Sequence, residues 1–439
     1  MSVVDELLQF LAEATTPFHA VAAMAGRLTA GGFVELEGID GVILEPGKGY
    51  FYTRNDSSII AFRAGQASLD QGVRFIGAHT DSPNLSVKPN PIKVVHGVVQ
   101  LAVDVYGGAL LNPWFDRDLS LAGRVNFVDA EGNLQKQLID FKKPLATIPS
   151  LAIHLDREAN NSRSVNPQRD ILPVLLEART EDAVDFRSLL ARQLRKQLPG
   201  VGDIRILDYE MSLYDTQPPS LIGLDEDFIA SARLDNLLSC FIGMRALLAA
   251  SAAHWSVLIC NDHEEVGSAS AVGAQGPMLT DFISAISANN VENRRLRTQS
   301  VMASVDNAHA VHPNFSDKHD ENHGPLLNAG PVIKINNKAA NNDNRNKINR
   351  NQRYATSGTG AALLRLLAER VDVPIQNFVV RTDLGCGSTI GPITASETGI
   401  DTIDLGVPTL GMHSIRELAG SRDPAYLETL LTGFLNRIA

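Results

Sequence analysis

Residues 254–268 read HWSVLICNDHEEVGS, and the reading of this stretch decides the fold. Trp255 to Cys260 is short, apolar and β-rich, and polar and glycine-containing sequence bounds it. That pattern predicts a buried strand of an α/β sheet rather than a helix. Two adjacent glutamates, Glu264 and Glu265, then stand just past the carboxyl end of the strand. In open α/β sheets ligands bind at that edge. Neighbouring carboxylates repel unless a cation or a proton separates their roles, so one can bind metal while the other moves protons. Taken alone, the pair reads first as an ordinary solvated acidic turn, and it is the rest of the chain that overturns that reading.

The chain has 439 residues, 44% hydrophobic and 20% charged, which is ordinary for a globular protein with room for two domains. Nothing at the amino terminus combines a basic region, an apolar stretch and a small-residue cleavage site, and no apolar run is long enough to span a bilayer. A cytoplasmic protein without membrane partners is the expectation. Cys240, Cys260 and Cys386 are far apart and odd in number, which suggests buried reduced thiols rather than disulfides or a cysteine zinc site. A net charge of −11 argues against nucleic acid as the main partner, because phosphate binding draws on clustered lysine and arginine.

Working outward, Val4, Leu7, Leu8 and Leu11 mark one face of a helix over residues 3–14. Thr16-Pro17 reads as the cap and first turn of a second helix that ends near Gly31. Gly49 to Arg54 and Ser58 to Arg63 flank Asn55-Asp56 as a hairpin. Val73 to Ala78 is the next strand, ending in His79-Thr80-Asp81-Ser82, where a histidine ligand and a supporting carboxylate fit the strand-end position. Val301 to Val305 likewise ends in Asp306, and Leu405 to Leu410 leads to Gly411-Met412-His413-Ser414. Asp235, in Ser231-Ala-Arg-Leu-Asp235-Asn236, stands near the start of a helix through Ala250, where capping and metal binding are compatible roles. Pro331 to Ile335 and Phe378 to Val380 read as strands, and 278–288, 361–370 and 424–435 as helices.

From about 89 to 231 the texture changes to short apolar runs, such as Val94 to Tyr106, broken by Gly, Pro and Asn, with one helical pattern at roughly 181–198. This predicts a mainly β domain of residues 89–231 inserted into a doubly wound α/β domain of residues 1–88 and 232–439. The insertion contains Leu151-Ala-Ile-His154-Leu-Asp156-Arg157, and locally His154 reads as a half-buried, satisfied histidine. Asn336 to Gln352, crowded with asparagine and carrying Lys338, Arg345, Lys347 and Arg350, is too polar to bury and reads as a loop.

The strand-end groups together are His79, Asp235, Glu264, Glu265, Asp306 and His413. Carboxylate oxygens plus imidazole suit zinc, manganese or cobalt, and one carboxylate can bridge two ions. Such a centre activates water for amide hydrolysis. One glutamate must then stay uncoordinated as the base.

At this level the chain resembles a known family. Gly77-Ala-His79-Thr-Asp81-Ser82, Ser231-Ala-Arg-Leu-Asp235-Asn236, Asp262-His-Glu264-Glu265-Val-Gly-Ser268, Ser304-Val-Asp306-Asn-Ala-His309-Ala-Val-His312-Pro313 and Gly411-Met-His413-Ser414 resemble, in order and nearly end to end, the motifs of the aspartyl aminopeptidases, the M18 metallopeptidases. The resemblance implies a metallopeptidase domain with a mostly parallel central sheet flanked by helices, and an inserted β domain that drives dimerisation. It implies cytosolic removal of an amino-terminal, characteristically acidic residue from peptides by a dizinc centre within a homododecamer. On this chain Asp235 would bridge the ions, with His79 and Asp306 completing one site and Glu265 and His413 the other. Glu264 would be the base and Asp81 would orient His79. His154 would reach a partner's active site, as an oxyanion donor, a substrate contact or an additional zinc ligand. Lys334 would meet the acidic substrate side chain, with Tyr354 also in the substrate pocket.

Two departures stand out. The resemblance leads one to expect Ile335 to be followed almost directly by Asn351-Gln-Arg-Tyr354-Ala-Thr356, whereas the asparagine-rich loop intervenes, and Ser357 replaces an expected asparagine. A dimetal carboxypeptidase or deacylase would share the metal set but not this motif order. A catalytically silent metal-binding scaffold would have no need of Glu264 beside Glu265.

Overall fold

The computed structural model describes residues 1–178, 185–335, 353–385 and 387–438. The asparagine-rich stretch 336–352 and Cys386 lie outside them. The chain divides into two compact units, one of residues 1–81, 219–412 and 417–439, the other of 82–218 and 413–416.

In the first unit the predicted strand is Ser256–Asn261, buried at every residue. It lies inside a nine-stranded sheet in the order Val34–Glu35, Gly49–Arg54, Ser58–Arg63, Ser256–Asn261, Arg74–His79, Val301–Val305, Asp401–Gly406, Val332–Lys334 and Gln376–Phe378. The four strands from Ser256–Asn261 to Asp401–Gly406 run parallel to one another. Burial on both faces is what their continuous apolar sequences require. Parallel register sets the site: Asn261 is level with His79, and Ser304 with Gly77, so His79, Asp262 and Asp306 all emerge at the same carboxyl edge.

Helices Val3–Glu13, Pro17–Ala30, Leu234–Ala249, Gly358–Arg370 and Asp423–Leu435 share one continuous apolar core with this sheet through Leu7, Met24, Phe241, Leu364 and Leu430. A second core beneath Phe62, Phe75 and Val257 holds the helix Met278–Ile286. Thr16 caps Pro17–Ala30, as Pro17 at the first turn predicts. Ser357 caps Gly358–Arg370 by accepting from the Gly360 amide at 3.0 Å. Serine serves there as well as asparagine would. Two helices, Asn290–Gln299 and Ile390–Thr398, are not foreshadowed by the sequence pattern. The first buries only Leu296, and the second mixes Gly, Thr and Ile without helical spacing, so neither shows an apolar stripe.

The second unit carries a six-stranded antiparallel sheet in the order Leu134–Asp140, Leu119–Val128, Arg205–Asp215, Asn84–Val95, Val98–Tyr106 and Val174–Glu177. Helix Phe186–Gln197 closes its core with Phe186, Leu190 and Leu194. The apolar run 94–106 is two strands, because His96 and Gly97 both adopt positive φ and form a two-residue hairpin turn between paired Val95 and Val98. The edges at 82 and 218 differ from the expected 89 and 231. Strand Asn84–Val95 belongs to the β sheet of the insertion, while Ser220–Ile222 and Phe228–Ser231 join Glu417–Gly420, Pro408–Leu410 and Ala308–His309 in a separate sheet of the first unit.

Candidate metal centre

The carboxyl edge of the parallel strands gathers five of the expected groups from the first unit. His79 and Asp235 are 2% and 3% exposed, and Asp306 is buried beside them. The His79 Nε2 lies 3.5 Å from Asp235 Oδ1 and 3.9 Å from Asp306 Oδ1. Ligand atoms of His79, Asp235 and Asp306 fall within 4.8 Å of one another, as do those of His79, Glu264 and Glu265. At the other ring nitrogen, Nδ1 is 3.0 Å from the Asp81 main-chain carbonyl and 3.4 Å from its carboxylate. A donor bond from Nδ1–H fixes the tautomer that presents Nε2 to a cation.

Asp81 also organises the glutamates. Its carboxylate accepts the Glu264 amide at 3.1 Å and the Glu265 amide at 3.0 Å. Strand Ser256–Asn261 ends in a left-handed His263 (φ 64°), and the single turn Glu264–Val266 closes on Gly267 at φ 100°, a conformation glycine adopts without penalty. Both glutamates are therefore anchored through their backbone amides. Asp235 has extended φ/ψ ahead of the regular helix, and its amide donates to Glu417 Oε2 at 3.0 Å. Asn236 secures the next peptide through the Val305 carbonyl at 2.8 Å. Glu417 gives no signal in the sequence beyond closing the run from His413; its burial depends on Glu417–Gly420 pairing with Phe228–Ser231.

The electrostatics call for a cation. Burial raises the Glu264 carboxyl to about 7 and Asp306 to about 6, and neighbouring carboxylates push both the same way. Burial alone would depress His79, but Asp235 and Asp81 outweigh it and hold the imidazole well above its ordinary range. Without a metal, the site gathers protons where a dication would satisfy several oxygens at once. One imidazole with buried carboxylates is a donor set suited to zinc. The residues fit the ion.

Lys334 is 2% exposed, on a strand hydrogen-bonded on both sides. It is not the solvated edge lysine that its sequence alone allows. Its Nζ lies 3.7 Å from Asp306 Oδ2 and 5.5 Å from the centre of the buried Tyr354 ring. His413 groups with the second unit, where its Nδ1 is 3.2 Å from the Gly108 carbonyl, and its φ is 67°. His154, in the same unit, is exposed rather than half-buried, in a turn flanked by exposed Leu151, Ile153 and Leu155. Its environment supplies no packing to satisfy the ring. Among the described residues, the dense histidines at 309–323 enter no group able to hold a metal. His319 instead accepts the His312 amide at 3.2 Å, and His323 pairs with Asp320 at 2.7 Å. Cys240 and Cys260 are buried free thiols, Cys240 donating to the His79 carbonyl at 3.0 Å. Among the described residues, no helix is long and apolar enough to cross a membrane.

Comparison with known proteins bears on the family of the chain. The family described as aminopeptidase I zinc metalloprotease (M18) matches residues 10–435. A probable M18 family aminopeptidase 2 of Pseudomonas putida (strain GB-1) is 54% identical over 429 residues, covering 98% of this chain and 96% of the relative. The same-named protein of Stutzerimonas stutzeri (strain A1501) is 52% identical over the same coverage. Among solved structures, the cryo-EM structure of the Ape4 and Nbr1 complex superposes with a TM-score of 0.92 at 39% identity, covering 100% of this chain and 86% of that one. The S. cerevisiae mApe1 dodecamer gives 0.81 at 29% identity, covering 99% and 96%. This chain belongs to the M18 family of zinc metalloproteases, aminopeptidases that hydrolyse residues from the amino termini of peptides.

Proposed function

We propose that the chain is a co-catalytic dizinc aminopeptidase that prefers amino-terminal Asp and Glu. The observation that carries this reading is the convergence of His79, Asp235 and Asp306 beside a turn that presents Glu264 and Glu265 together. Asp235 would be shared by both ions, His79 and Asp306 would complete one ligand set, and Glu265 and His413 would complete the other. The same donors accept manganese or cobalt. Bound zinc supplies Lewis acidity toward the scissile carbonyl and the attacking water. Glu264 takes the water proton and returns it to the leaving amine. Asp81 keeps the base and its ligand neighbour in register through their two amides.

Lys334 provides the acidic preference. A lysine held in a desolvated pocket beside Tyr354 recognises a carboxylate more strongly than a solvated one would. Lys334→Met is expected to lower kcat/KM for Asp and Glu substrates by about 100-fold, since a charge-assisted contact of about 1.5–3 kcal/mol is lost and buried polar groups remain. Ala and Leu substrates should change far less. Equal losses in an aminoacyl substrate screen would remove Lys334 from the pocket.

The likeness to the mApe1 dodecamer supports a homododecamer, in which the inserted β unit would drive dimerisation. His154 would donate across the dimer to the substrate oxygen as it becomes negative, or would serve there as a zinc ligand. Its exposure beside three exposed apolar residues supports a role completed by a partner. Mixing inactive His154→Ala and Glu264→Gln proteins under subunit exchange should restore activity toward half in mixed dimers. No recovery despite proven exchange would confine His154 to its own chain. A cytoplasmic site of action accords with buried reduced thiols at Cys240 and Cys260.

A further inference from the structure

Asp404 is a wholly buried carboxylate at the centre of strand Asp401–Gly406, and the chemistry above does not use it. Its Oδ1 accepts the Ser304 hydroxyl at 2.7 Å and the Thr389 hydroxyl at 2.6 Å. Its Oδ2 accepts the Ala355 amide at 2.6 Å. A methyl group on Gly391 would collide with this carboxylate, so the glycine leaves room for it. The main chain adds to the tie: the Asp404 amide donates to Thr356 Oγ1 at 2.9 Å, and the Thr356 hydroxyl donates to the Asp404 carbonyl at 3.4 Å.

These bonds join segments with different tasks. Ser304 lies in strand Val301–Val305, two residues before Asp306, which stands just past the carboxyl end of that strand. Ala355 and Thr356 directly follow Tyr354, whose buried ring lies below Lys334. The segment from Tyr354 to Thr356 has no strand or helix of its own. It is tied to the sheet by hydrogen bonds that Ala355 and Thr356 make with one residue, Asp404.

A buried charge is costly unless its acceptors are filled, and an apolar residue would pack this strand without that cost. What an apolar residue could not do is hold the Ala355 amide. We propose that Asp404 is a positioning residue for substrate binding, acting through Tyr354–Thr356 to set the Tyr354 ring against Lys334. The proposal rests on the reading that Lys334 and Tyr354 meet the substrate.

Asp404→Asn tests it, because the amide keeps the size of the side chain. The asparagine oxygen can still accept from Ser304 and Thr389, but its NH2 then faces the Ala355 N–H, donor against donor. Loss of one acceptor from a buried donor predicts a KM rise of about tenfold or more, with kcat within about threefold. Zinc content should match wild type, and hydrogen exchange should quicken in a peptide spanning 353–356 but not in one spanning 301–305. Thr356→Val, which removes the second tie without placing a polar group in the core, should shift KM in the same direction by less. It stands in for Asp404→Asn if that variant does not fold.

Lys334→Met is measured in parallel on Asp and Ala substrates. A KM rise in Asp404→Asn confined to acidic substrates supports both the positioning role and the acid pocket. A KM rise equal for both classes supports the positioning role, and an unselective Lys334→Met then removes the acid pocket alone. Unchanged KM, a fall in kcat alone, loss of zinc, or unaltered exchange over 353–356 overturns the role of Asp404 whatever Lys334→Met does.

Discussion

Replacing Glu264 with glutamine is expected to leave zinc content near wild type and to slow peptide hydrolysis by about two to four decades, the range for loss of a general base. Glutamine keeps the size and the backbone anchor, since the Glu264 amide, not its side chain, donates to Asp81. Only the capacity to take a proton is removed. The carboxyl rests near 7 without metal, because it is largely shut off from water and faces other carboxylates. Cations nearby draw that value down and favour the ionised base. Kinetics and elemental analysis on one preparation decide the matter. Loss of zinc in Glu264→Gln would mean that Glu264 and Glu265 have each other's roles.

Asp235→Asn should behave in the opposite way. A neutral amide carries one acceptor oxygen and no charge, so it cannot bridge two dications. Zinc affinity at both positions should fall by more than the roughly 10–100-fold that loss of an outer-shell partner costs. Activity should vanish with the metal. The helix need not suffer, because the Asp235 amide still donates to Glu417 and the Asn236 side chain still holds the Val305 carbonyl. Full zinc occupancy in a folded Asp235→Asn protein would rule out bridging.

The sequence is most legible where one local rule acts alone. Ser256–Asn261, Arg74–His79 and Val301–Val305 each combine a short apolar run with a polar terminus. Parallel pairing brings such termini to one edge without further instruction. That is why His79, Glu264, Glu265 and Asp306 can be collected from strand ends alone. Residues whose role depends on pairing across the sheet are less legible. Lys334 reads as an ordinary strand-end lysine until antiparallel pairing with Asp401–Gly406 buries it beside Asp306. Asp404 and Glu417 sit inside strands buried on both faces, where no alternation separates a working carboxylate from its neighbours. His96-Gly97 lacks the Asn-Gly or Asp-Gly signature of its turn, so 94–106 reads as one run. At 309–323 the histidines serve the loop itself, His319 accepting the His312 amide and His323 pairing with Asp320.

Whether zinc held at the carboxyl edge cleaves peptides by way of a free amino terminus is tested most directly by stripping the protein with a chelator and adding zinc back in increments. Hydrolysis of an Asp-initiated peptide is followed beside that of its N-acetylated counterpart. The expected result is no hydrolysis by the stripped protein, recovery that saturates at two zinc ions per chain, and cleavage of the free-amine peptide alone. Hydrolysis by the stripped protein, or equal cleavage of the acetylated peptide, would contradict a zinc aminopeptidase.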